Sequence, residues 1–74
     1  MKERLKHIFC DMFVIDSDDV YFSRSFKQYD IDSLDFTEFL LMVEDEFDVD
    51  IDDKDAERLK TLDDIVQYLE EFEL

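Results

Sequence analysis

The chain contains no glycine, no proline and no tryptophan, and only one cysteine and one histidine in 74 residues. Without glycine there can be no phosphate-cradling loop of the glycine-rich kind. Without glycine or proline the usual marks of turns and helix ends are missing, so boundaries must be read from periodicity and capping. The single Cys10 can form no intramolecular bridge, which fits a reducing compartment. It belongs to no motif with a His or Lys and reads as an inert helix residue rather than a redox or catalytic thiol. Bases are scarce as well: 8 Lys/Arg stand against 23 Asp/Glu, a formal net charge of −15. Such a chain has too few cations to displace counterions from phosphates, which argues against nucleic-acid binding. Basic partner surfaces are favoured instead, with electrostatic steering of the encounter. Long apolar runs are also absent, so no membrane insertion is expected. The opening Met1-Lys2-Glu3-Arg4 is charged and unlike a signal sequence, and a cytoplasmic protein is expected.

Despite the charge, 46% of the residues are hydrophobic, including eight Phe and three Tyr, so a folded core is expected rather than disorder. The length suits one small domain over residues 1–74. A domain of this size buries only about 60% of the surface its unfolded chain exposes, so the core must be efficient. Leu5, Ile8, Phe9, Met12 and Phe13 follow helical spacing and predict a helix over 2–13 with one buried face. Residues 1–13 carry three Lys/Arg and two acids, while the remaining 61 carry five and 21, so the acidity belongs to the rest of the chain. Residues 14–32 lack a sustained period. Asp16-Ser17-Asp18-Asp19 is turn-like, and Val20, Phe22, Phe26, Tyr29 and Ile31 read as anchors of a long ordered loop, with one helical turn near 23–28.

A second helix is predicted over 33–47. Either Asp32 or Ser33 can cap it, and Asp35 suits its first turn through the helix dipole. Phe36, Phe39, Leu40, Val43 and Phe47 converge on one face, which predicts the core side. Leu34, Glu38, Leu41 and Asp45 fall on the other. Two leucines among carboxylates there fit a partner site, although isolated surface leucines are common and need mean nothing. Asp48 to Asp53 breaks the helix. A short third helix is expected over 53–60, with Ala56 and Leu59 facing in and Ile51 anchoring its entry. Thr61 then caps a last helix, with Asp64 at capping-box spacing and Leu62, Ile65, Val66, Leu69 and Phe72 as its buried stripe. The predicted fold class is all-α: a small bundle of three main helices plus one short helix.

Acidic runs invite calcium, but loops counted from Asp48 or from Asp30 both fail the helix-loop-helix spacing: position 12 is Leu59 in one and Leu41 in the other. No high-affinity metal site is expected, only weak surface binding of divalent cations that would screen the self-repulsion. Catalysis finds no support either. Ser33 sits in neither a Gly-x-Ser-x-Gly elbow nor a Ser-x-x-Lys motif. His7 lies among solvated residues of another helix, and a bundle this small leaves little room for a preformed pocket of the usual ~300–1,000 Å³. The chain is not expected to be an enzyme, and no catalytic residue is assigned.

Asp32-Ser33-Leu34-Asp35 at the head of an acidic amphipathic helix resembles the acyl carrier protein family. The likeness covers nearly the whole chain. Glu44-Asp45-Glu46-Phe47-Asp48-Val49-Asp50-Ile51 resembles the family's exit from helix two, Asp53-Lys54-Asp55-Ala56-Glu57 its third helix, and Thr61-Leu62 the start of its fourth. The resemblance implies that Ser33 receives a 4′-phosphopantetheine arm from coenzyme A through a phosphopantetheinyl transferase and Mg²⁺. The arm's thiol would then carry acyl groups as thioesters for fatty-acid, lipid or polyketide-type synthesis. Asp32 is implied to assist at the transferase's metal site. Leu34, Asp35, Glu38, Leu41 and Asp45 are implied to meet acyl-transferring or synthase enzymes with basic docking patches, and a monomer is expected. The chain differs from the family pattern at Tyr29 and Asp30, where Leu and Gly are usual, and its approach to Ser33 is one residue shorter than the common bacterial form. Phe36, Phe39, Phe47 and Phe72 are bulky and should shape a different cavity for a sequestered chain. A specialised carrier is therefore expected. The alternative is an unmodified acidic helical adaptor that binds a basic partner through the second helix.

Overall fold

A computed structural model describes residues 2–71. Four α-helices follow one another: α1 (Lys2–Phe13), α2 (Ser33–Phe47), α3 (Asp53–Ala56) and α4 (Leu62–Glu71). Two 3-10 turns, Ser17–Asp19 and Phe26–Tyr29, interrupt the segment between α1 and α2. The described residues contain no β-strand, only one isolated bridge between Ser25 and Thr61. The all-α bundle expected from the periodicity is the fold found.

The helical faces meet as their spacing dictates. Leu5, Ile8 and Phe9 of α1, Phe39, Leu40 and Val43 of α2, and Leu62, Ile65, Val66 and Leu69 of α4 are buried together. Phe9 sits at the centre, with ring centroids 5.5 Å from Phe39, 5.1 Å from Tyr29 and 6.1 Å from Phe26. Phe36, Phe47, Met12 and Phe13 pack at the edge of this core and are only partly buried. Phe72, expected in the α4 stripe, lies outside the described residues.

With no glycine, helix ends are closed by other residues. Val14, Asp30 and Asp48 take left-handed backbone, with φ of 53°, 61° and 55°. Each is followed by an amide that reaches back over the end of a helix or turn: Ile15 to Cys10 O, Ile31 to Phe26 O and Val49 to Glu44 O. Each of those following residues is a partly buried β-branched apolar side chain. This combines the long return bond with the apolar contact of a Schellman closure. The pattern of one exposed residue and then one apolar anchor was present in the sequence, but without Gly it did not stand out.

Two expectations need correction. The helical turn placed near 23–28 lies over 26–29, because Ser25 is held in an extended conformation opposite Thr61. The third helix expected over 53–60 ends at Ala56. Beyond it, Arg58 N–H bonds to Asp55 O and Leu59 N–H to Ala56 O, tighter three-residue closures that bury Leu59. The Lys60 carbonyl is then free to accept from the Phe26 amide at 2.9 Å. A second backbone bond, Asp63 N–H to Phe22 O at 3.0 Å, fastens the same loop to the start of α4. The capping of α4 is as expected: Asp64 N–H donates to Thr61 Oγ1 at 3.1 Å, and Asp64 Oδ2 accepts from Thr61 N–H at 3.2 Å.

Candidate functional site

Ser33 is the first residue of α2, and Asp32 is the cap. The choice between the two is thereby settled. Asp32 Oδ1 accepts from the Asp35 amide at 2.8 Å, and the Phe36 amide bonds to Asp32 O at 3.0 Å. The first bond satisfies one of the orphan amides of the helix mouth, and the second is the helix's first regular backbone bond. Those of Ser33 and Leu34 have no partner among the described residues. The Ser33 hydroxyl is exposed and likewise makes no hydrogen bond. Its own carbonyl is held by Thr37 Oγ1 at 2.8 Å, which keeps the first turn of α2 in shape. An exposed hydroxyl between two free amides, at the positive end of a 15-residue helix, suits a covalently attached phosphodiester. The second carboxylate oxygen of Asp32 makes no hydrogen bond among the described residues.

The one histidine of the sequence makes no hydrogen bond to Ser33. His7 is paired instead with Asp11, Nε2 to Oδ2 at 3.3 Å, on the exposed side of α1. Cys10 is half-buried, and burial pushes its thiol above its ordinary value, the reverse of what a nucleophile needs. Among the described residues, no three His, Cys, Asp or Glu side chains converge as metal ligands do.

A groove of about 670 Å³ begins at Ser33. Its walls come from the first turns of α2, the 3-10 turn before it, and α3 with the segment that follows. Phe26, Ile31, Phe36, Ala56 and Leu59 supply its apolar lining. Little preformed space was expected of so small a bundle; the four-residue α3 leaves that flank open. A second groove of about 470 Å³ lies on the other side of α3, between it and α4, and its lining is mostly polar. There Tyr68 Oη donates to Asp55 Oδ2 at 2.9 Å.

The outward row of α2 is where its spacing placed it. Leu34 is 67% exposed and Leu41 59%. Glu38 and Asp45 are exposed, whereas Asp35 is half-buried against the helix start. Met42, 47% exposed, joins the row and was overlooked. It stands four residues beyond Glu38, the signal that could have revealed it.

Fold and site together define a small helical bundle with an exposed serine at a helix mouth. The family model described as "Phosphopantetheine attachment site" matches residues 3–69, and the chain belongs to that family. It is similar to an "Acyl carrier protein" of Lactobacillus acidophilus, 39% identical over 67 residues that cover 89% of this chain and 84% of the relative. Family membership makes 4′-phosphopantetheine the prosthetic group and that of a carrier the role.

Proposed function

We propose that residues 1–74 form one carrier domain in which Ser33 holds the phosphopantetheine arm. The observation that carries this is the exposed Ser33 hydroxyl, flanked by the free Ser33 and Leu34 amides at the mouth of α2. The arm supplies a thiol on which acyl groups ride as thioesters. The chain itself positions the phosphodiester at the helix dipole and offers a row of contacts beside it. Asp32 is suited to the transferase's metal ion through the carboxylate oxygen that the cap leaves free. Leu34, Glu38, Leu41 and Asp45, with Asp35 at their edge and Met42 beside them, form the docking row for the transferase and for acyl-transferring or synthase enzymes. Apolar anchors among carboxylates match a partner patch of Arg and Lys around apolar pockets. The groove at Ser33 gives the cargo a place out of water. The compartment we infer is the cytoplasm, and the pathway a dedicated one in fatty-acid, lipid or polyketide-type synthesis. An unmodified adaptor would use the same row but would leave the free hydroxyl and amides unexplained.

The test is intact mass after incubation with coenzyme A, Mg²⁺ and a broad-specificity transferase. One phosphopantetheinyl addition is expected on the native chain and none on Ser33→Ala. Equal addition to both would move the attachment elsewhere, and no addition to either would leave the adaptor.

A further inference from the structure

We propose that the groove beside Ser33 selects planar acyl chains, conjugated or aromatic, over saturated chains of the same carbon count. This rests on the reading of Ser33 as the attachment residue and names the class of cargo.

The argument starts from spacing. Ser33, Phe36 and Thr37 stand at i, i+3 and i+4 on one face of α2, and all three line the groove. Phe36 is therefore the first large apolar side chain below the attachment point. Its ring packs on Phe26 with centroids 4.8 Å apart and planes at 43°. Phe36 is only partly buried, so part of its ring remains open to the groove. Phe26 cannot yield, because it is buried and backed by Phe9 and Phe39, each at 6.1 Å. The wall under Ser33 is thus a rigid aromatic pair. Ile31, Ala56 and Leu59 supply the rest of the apolar lining, and Lys27, Asp53, Glu57 and Lys60 line the same groove with charge.

A rigid aromatic wall favours flat ligands for two reasons. Offset or edge-on ring contacts add to simple burial of area. A conjugated chain also has few rotors to freeze when it lies against a preorganised surface, whereas a saturated chain must order several. The ring contacts alone predict a preference of roughly two- to tenfold.

The experiment loads the full chain with cinnamoyl or nonanoyl phosphopantetheine from the corresponding coenzyme A thioesters. Intact mass confirms each product. Cleavage of each thioester by hydroxylamine is then timed and divided by the rate for the same acyl group on free pantetheine, which removes intrinsic reactivity. The expected result is protection of the cinnamoyl form about two- to tenfold beyond the nonanoyl form. Phe36→Leu should erase that difference while leaving nonanoyl protection in place. Equal protection of the two native forms overturns the inference, with no need of the variant. So does loading without protection of either, although Ser33 then stands as the attachment residue. Failure to load on Ser33 removes both readings.

Discussion

Val14, Asp30 and Asp48 hold left-handed backbone that glycine adopts without steric cost, and of the three Val14 is the least suited. Asp can stabilise this conformation with its short polar side chain; a β-branched residue cannot. Val14 is also 91% exposed, so its side chain returns almost nothing in packing. Val14→Gly should relieve about 1–2 kcal/mol of backbone strain. It should give back about 0.5–1 kcal/mol through greater freedom of the unfolded chain. A net gain of under about 1.5 kcal/mol in urea unfolding is expected. Tyr68 offers a second check. Burial first, and then its bond to the Asp55 carboxylate, pushes its hydroxyl up to about 12. The folded state thus disfavours the phenolate relative to the unfolded chain. The stability this lends is complete below the ordinary tyrosine value near 10 and is lost as pH rises from there through about 12. A near-ultraviolet titration of the native chain should show a late tyrosinate step, absent in Tyr68→Phe.

At the scale of elements, α1, α2 and α4 were legible because each carries a long apolar stripe of helical period. The cap at Thr61 was legible because its partner Asp64 stands three residues on. Less could be read where tertiary bonds decide. The end of α3 is set by pairing of Lys60 with Phe26, residues far apart in the chain. The loop before α2 is ordered by contacts that no local pattern announces. Tyr29 Oη donates to the Tyr21 carbonyl and accepts from the Tyr21 amide, both at 2.9 Å. The Arg24 guanidinium lies over both rings, 4.5 Å from Tyr21 and 5.2 Å from Tyr29. Tyr29 was thus recognised as a departure from the family pattern, but its use as a staple needed the structure. Tyr29→Phe removes both bonds and should cost about 1–2 kcal/mol. Amide exchange at Tyr21 should rise sharply while exchange in α4 changes only with global stability. At the site, the exposed serine at the head of α2 and the outward row followed from sequence, whereas the groove and Met42 did not.

For the whole molecule, a net charge of −15 sets the response to salt. Arg4 offsets some of it locally: Nη2 lies 2.7 Å from Glu46 Oε1, and the guanidinium is 5.2 Å from the Phe47 ring. That pair is exposed, so it is worth at most about 1 kcal/mol and weakens with salt. Repulsion among the carboxylates beyond α1, where nearly all of the chain's 23 acids lie, is relieved by the same salt. The repulsion outweighs the single pair, so the melting temperature should rise with NaCl, and Mg²⁺ should act at lower concentration. A melting temperature that falls with added salt would show that local pairs govern instead. Docking on a basic partner should respond in the opposite sense and weaken as salt increases.

The two backbone bonds that fasten Phe22 and Phe26 to Asp63 and Lys60 also bear on when the protein becomes competent. During synthesis the head of α2 emerges well before the segment that closes the groove. A nascent chain shorter than Lys60 can contain Ser33 and its helix but not the finished wall, and the loop before Ser33 has nothing to fasten to. The groove beside Ser33 is therefore finished only after Lys60 and Asp63 have been made, well after the helix that carries the serine.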